Sequence, residues 1–174
     1  MDVSENGRTD GGQPRRVGSR ERVRRYLEER DLLGGLSEFE PHSTKTAQQA
    51  ADRMGCELGQ IVKSLVFTVD EESSVMVLVA GDRRGDAEAI AEAMGGTRAR
   101  MATADEVRLA TGYAIGGVCP FDLPPELPVL AEDSLLRFTT VYPAAGTPDS
   151  MVRMDRDELL GLCHARVVHL LHSS

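Results

Sequence analysis

The sequence predicts an α+β fold with a mixed, barrel-like β-sheet and surrounding helices. Two runs dense in β-branched residues, Ile61 to Val69 and Val75 to Ala80, flank a polar stretch of hairpin length, Asp70 to Ser74. Helical segments with cap signals interrupt further short strands at irregular spacing, which excludes the regular βαβ alternation of a doubly wound sheet. No segment repeats, and a length of 174 residues suits one domain.

Residues 1 to 18 lack a hydrophobic period and read as a flexible tail, leaving residues 19 to 174 for the fold. From Ser19 as N-cap, Val23, Leu27 and Leu32/Leu33 recur at near-helical spacing until Gly34-Gly35. After an extended piece around Phe39, Thr46 with Gln49 forms a capping-box pattern for a helix through Met54, closed by Gly55. The two β-branched runs then predict an antiparallel hairpin. A helix over Asp86 to Met94 ends at Gly95-Gly96, Thr97 to Met101 reads as a strand, and Thr103 with Glu106 starts another capped helix. A Pro-rich loop leads to strands near Val129 and from Phe138 to Tyr142, then to a turn at Gly146-Thr147-Pro148-Asp149. A helix from Asp155, with Glu158 completing its box, and a strand near Val167 end the chain.

Composition narrows the function classes. Hydrophobic residues are 41% and charged residues 28%, the balance of a folded globular chain. No apolar block of membrane-spanning or signal-peptide type is present, so a cytoplasmic location without membrane partners is expected. Net charge is −8, an acidic balance that disfavours non-specific binding along nucleic acid but permits recognition of one RNA end. Cys56, Cys119 and Cys163 fit reduced thiols, and neither they nor His164, His169 and His172 have metal-site spacing. No metal and no cofactor are expected.

Lys45 and Lys63 are the only lysines among 20 basic residues. Lys63 lies inside the most apolar segment and shares a strand face with Ile61, Leu65 and Phe67. An unpaired buried ammonium is costly, so Lys63 is paired, lines a wet pocket, or snorkels from a strand end. The second feature is Gly116-Gly117, where glycine permits a backbone turn whose N–H groups approach an oxyanion closely. Its surroundings lack the GK[ST] ending of a phosphate loop and the spacing of a dinucleotide fingerprint. Alone, the pair favours a tight turn. Arg83 and Arg84 suit either a solvated turn or RNA phosphate contacts, and Tyr26, Phe39, Tyr113 and Phe121 suit either the core or stacking on a terminal base.

Taken in order, IVKSLVF, GDRRGD, TGYAIGGVCPF and AAGTP resemble the YbaK/EbsC family of aminoacyl-tRNA deacylases, from Arg20 to the C-terminus. The resemblance implies trans-editing: hydrolysis, without a metal, of the ester of a small noncognate amino acid on mischarged tRNA. The partner implied is the 3′ aminoacyl-adenosine end, with an aminoacyl-tRNA synthetase such as prolyl-tRNA synthetase as a further expectation. Lys63 matches the family's essential lysine, and Gly116 and Gly117 match the glycines that hold the aminoacyl carbonyl and terminal adenosine. Ser64 stands where a hydroxyl residue is usual, Ile115 and Val118 flank the glycines, and Ala144, Ala145 and Gly146 match the small-residue loop near the substrate side chain. His42 and Thr44, just before the second helix, are candidates for the same cleft. The alternatives are a non-catalytic tRNA- or synthetase-binding module of the same fold and a hydrolase of a small non-RNA ester.

Overall fold

The computed structural model describes residues 17–170, so the expected tail, apart from Val17 and Gly18, and His172 lie outside the described residues. In chain order the elements are α1 (Ser19–Glu28), β1 (Leu36–Glu38), α2 (Ala47–Met54), β2 (Ile61–Val69), β3 (Ser73–Ala80), α3 (Ala87–Ala93), β4 (Ala99–Met101) and α4 (Ala104–Thr111). β5 (Val129–Glu132), β6 (Thr140–Pro143), β7 (Ser150–Val152), β8 (Met154–Asp155), α5 (Arg156–Leu162) and β9 (Arg166–Val168) follow. The fold is α+β around a curled, half-barrel sheet ordered β8-β6-β2-β3-β5-β9, with β4 also pairing β2 and a separate β1-β7 ribbon. The sheet is mixed: β2 pairs β3 and β4 antiparallel but β6 parallel, and β5 is parallel to both β3 and β9.

The hairpin forms where the two apolar runs predicted it, in register from Val62↔Ala80 to Val69↔Ser73. Its turn is tighter than the five polar residues suggested, because Asp70 and Glu71 take left-handed φ of 51° and 58°. The Asp70 carboxylate fixes that turn by accepting the Thr97 and Arg98 amides and the Thr97 hydroxyl. Central β3 is buried on both faces, which explains its unbroken apolar run. Met76, Leu78 and Ala80 enter the main core with Val23, Leu27 and Tyr113. Val75, Val77 and Val79 meet Phe67 and Ile90 on the other side. Behind the hairpin, Arg100 links Glu71 to Glu106, and Glu106 also accepts from the Thr68 hydroxyl and the Thr103 amide.

The helix caps follow local chemistry. Thr46 with Gln49 and Thr103 with Glu106 form complete capping boxes, and Gly55 and Gly112 close those helices in left-handed conformation. Asp155 accepts from the Glu158 amide, the first half of the expected box. Helix α1 departs from expectation at both ends. Gly18, not Ser19, is its N-cap, and it stops at Glu28, short of Gly34-Gly35. Asp31 takes a left-handed φ of 61°. The Leu32 amide reaches Leu27 and the Asp31 amide reaches Glu28, a Schellman ending built without glycine. Residues Leu33–Gly35 form a separate 3₁₀ turn. Strand β6 likewise begins at Thr140, after a 3₁₀ turn over Asp133–Arg137 that ends against Phe138.

Candidate active site

The two edges of β2 are built differently. Toward β3 it is paired along Val62 to Val69, whereas on the other side β6 meets only Ile61 and Val62, and β4 only Phe67 to Val69. Strand β6 leaves at Pro143, which has no amide to donate, and the next residue, Ala144, bridges Met151 instead. At the other end, Ala102 donates to the Val66 carbonyl before Thr103 caps α4. Between these departures opens a cavity of about 460 Å³, lined by Ile61 to Val66 together with the start of α2 and two loops.

Lys63 lines this cavity, half-buried, and its Nζ donates to the Arg83 carbonyl. Burial, then the charge of Arg84, holds its pKa below the ordinary lysine value, opposed by Asp82. Asp82 is itself clamped by both terminal nitrogens of Arg137, at 2.9 and 2.7 Å. Among the described residues no carboxylate forms an ion pair with Lys63. The paired and pocket-lining possibilities therefore combine: a lysine held by a carbonyl at the wall of a cavity. Ser64, also on the lining, has a buried Oγ without a hydrogen-bond partner.

The glycine loop is a turn in which Gly117 donates to the Ala114 carbonyl at 3.0 Å and Gly116 sits at φ 90°, the third position of a type II turn. Gly116, Ile115 and Val118 line the cavity; Gly117 does not. The Gly117 amide is thus committed within the loop. A Cβ there would meet the Gly146 carbonyl at 2.7 Å, and one at Gly146 would meet Val23 at 2.7 Å. Gly117 thus packs on the Gly146 backbone, and Gly146 packs on the Val23 side chain and the Ser19 carbonyl of α1. Ala144 lines the cavity, while Ala145 is buried behind it.

Thr44 lines the cavity and donates its hydroxyl to the Pro148 carbonyl at 2.7 Å. His42 is exposed and off the lining; its amide donates to Asp149, anchoring the loop before α2. The spacing did not single out Lys45, Thr46, Met101 or Pro148 as site residues, yet they too line the walls. Only the scarcity of lysine could have drawn attention to Lys45. Tyr113 and Phe121 are wholly buried, with the Tyr113 hydroxyl on the Phe121 carbonyl, and neither Tyr26 nor Phe39 lines the cavity. Cys119 is fully buried, with its thiol pushed up to about 11 by desolvation, opposite to the activation a nucleophile needs. Among the described residues one group of possible metal donors, Glu132, Asp133 and His169, lies at the ends of β5 and β9 and contributes nothing to this cavity.

The model of the aminoacyl-tRNA editing domain matches residues 41–162. The chain is 35% identical over 145 residues to the uncharacterized protein YwhH of Bacillus subtilis, covering 83% of this chain and 91% of that one. It is 31% identical over 119 residues to the multifunctional Ser/Thr-tRNA deacylase ProXp-y of Escherichia coli, 66% of this chain and 71% of the relative. A crystal structure described as a candidate trans-editing enzyme for prolyl tRNA synthetase superposes with TM-score 0.79 at 40% identity, covering 90% of this chain and 99% of its own.

Proposed function

The chain belongs to the aminoacyl-tRNA editing domain family, and from that membership we propose a trans-acting deacylase that removes a small noncognate amino acid from the 3′ end of mischarged tRNA. The observation that carries the reading is Lys63, a cation with no carboxylate partner among the described residues, at the wall of a largely apolar cavity. In the reaction, water adds to the ester carbonyl, the bond to the ribose oxygen breaks, and that oxygen takes the proton. Negative charge grows on the carbonyl oxygen, where a preorganised donor supplies about 3 kcal/mol in measured examples. The Gly116 turn and the Lys63 ammonium line the same cavity, and we take them as candidates to meet that charge or the neighbouring phosphate. The Gly117 position supports this indirectly, by letting its loop close on Gly146.

The cavity's small lining residues, Ala47, Ala50, Ala102 and Ala144, leave room for a small aminoacyl group. Alanine, cysteine and serine are the first candidates, and the Ser/Thr-tRNA deacylase relative adds threonine. A synthetase pocket separates one methylene by only about 1 to 3 kcal/mol, so a second hydrolytic check has a physical purpose. We place this activity in the cytoplasm, with charged tRNA as partner and prolyl-tRNA synthetase as the enzyme whose errors it clears. The test is deacylation of Ala-, Cys-, Ser-, Thr- and Pro-charged tRNA by the wild type and Lys63→Ala. Selective, Lys63-dependent release of one amino acid is expected. Release from none, with tRNA still bound, establishes the non-catalytic binding module instead.

A further inference from the structure

The geometry points to the unpaired stretch of β2 as the dock for the aminoacyl group: we infer that the substrate's own amine and carbonyl pair with the backbone of Ser64, as a one-residue antiparallel strand. This rests on the deacylase reading above and specifies how that site holds its substrate.

The direction of each β2 backbone group follows from register. The Gly81 amide donates to the Ile61 carbonyl at 2.7 Å, which makes 61 and 81 a hydrogen-bonded pair one step beyond Val62↔Ala80. Bonded and non-bonded pairs alternate in an antiparallel ladder. Lys63 and Leu65 therefore aim their N–H and C=O at β3, while Ser64 and Val66 aim theirs the other way. The Ala102 amide, bonded to the Val66 carbonyl at 2.9 Å, shows that outward direction. Opposite Ser64, however, there is no strand, because β6 ends at Val62↔Pro143 and β4 begins at Phe67↔Met101. Its N–H and C=O face the cavity, and the buried Ser64 Oγ lacks a partner as well.

Polar backbone groups left unmade at a half-buried edge invite a ligand that satisfies both. An α-aminoacyl ester carries an N–H and a carbonyl oxygen in the arrangement of one peptide residue. The Ser64 amide donates to the ester carbonyl oxygen, and the substrate amine donates to the Ser64 carbonyl, the reciprocal exchange of an antiparallel pair. Between the Val62 and Val66 positions only Ser64 has both groups outward, so one residue fits where a peptide would not. The lining holds no carboxylate to receive the amine, which leaves the backbone carbonyl as its acceptor. Paired residues share a face. The substrate side chain accordingly lies beside Ser64 Oγ, among Val62, Val66, Ala102 and Val107, and the Ser64 amide polarises the bond under attack.

Amide hydrogen exchange tests this, with and without a non-hydrolysable, amide-linked aminoacyl-adenosine. In the free protein Ser64 is expected to exchange at least about a hundredfold faster than Lys63 and Leu65, and the analogue to slow it by about tenfold or more. Binding of the analogue, seen as shifts at Ile61 and Lys63, without slowing at Ser64 overturns the dock and leaves the deacylase reading standing. A chain that neither binds the analogue nor deacylates any charged tRNA overturns both. Ser64→Pro removes the outward N–H together with the hydroxyl and breaks no bond to β3, as proline does at a free edge. It is expected to lower deacylation about a hundredfold or more while melting stays cooperative, against less than about tenfold for Ser64→Ala. Equal losses in the two folded variants would transfer the role to the hydroxyl and overturn the backbone pairing.

Discussion

Strand β2 has one edge that holds the molecule together and one that leaves it open. Toward β3 it is paired from Val62 to Val69, and beyond β3 the ladder continues to β5 and β9. On its other edge, partners at the two ends leave the middle to a cavity. The same nine residues thus serve two purposes by alternation. Outward and inward groups differ only in parity, so a lysine and a free peptide can sit within a strand that anchors the sheet.

The comparison breaks most severely at the closed edge. Val77, wholly buried and opposite Leu65, occupies a bonded position of the ladder. Val77→Pro is expected to lower the melting temperature by at least about 10 °C, the shift of a loss of about 3 kcal/mol or more in a chain of this size. Calorimetry or circular dichroism checks it. At the open edge the effect falls on activity instead. Lys63→Ala is expected to slow deacylation at least about a hundredfold without lowering the melting temperature.

Lys63→Met sharpens the contrast. The folded pKa lies below the ordinary 10.5, so the charged lysine weakens the fold at neutral pH, and that penalty fades as pH rises through the interval. The methionine variant should therefore melt higher than wild type at neutral pH, with the gap closing at alkaline pH.

Glu106 behaves oppositely. Its bonds to Arg100 come first among the causes that hold its pKa down to about 2, from an ordinary 4.5. Its contribution is present above 4.5 and is lost as pH falls through about 2, so the stability lead over Glu106→Gln should vanish across that window. Acid melting curves of the two proteins measure it. The smallest effect is expected from thiol alkylation in the native state, which should leave deacylation unchanged. Cys119 is fully buried, and the Cys119 and Cys163 thiols are both pushed up to about 11.

What the sequence by itself determined is what short-range chemistry settles. The hairpin follows from two apolar runs, the bounds of α2 follow from Thr46 with Gln49 and from Gly55, and the start of α4 follows from Thr103 with Glu106. Lys63 could be singled out because an ammonium in an apolar strand is costly wherever that strand lies. Local bonds at Asp31 also end α1 early, but no glycine announces them. Tertiary structure decided the rest. The gap beside Ser64 exists because β6 and β4 leave β2 at different points, a fact of register between distant segments. Thr44 is held by Pro148 across 104 residues, and Gly117 closes on Gly146 while spending its amide on Ala114. Sequence periodicity reports which face of a strand is apolar; which of its edges is left without a neighbour depends on segments that meet only after the chain has folded.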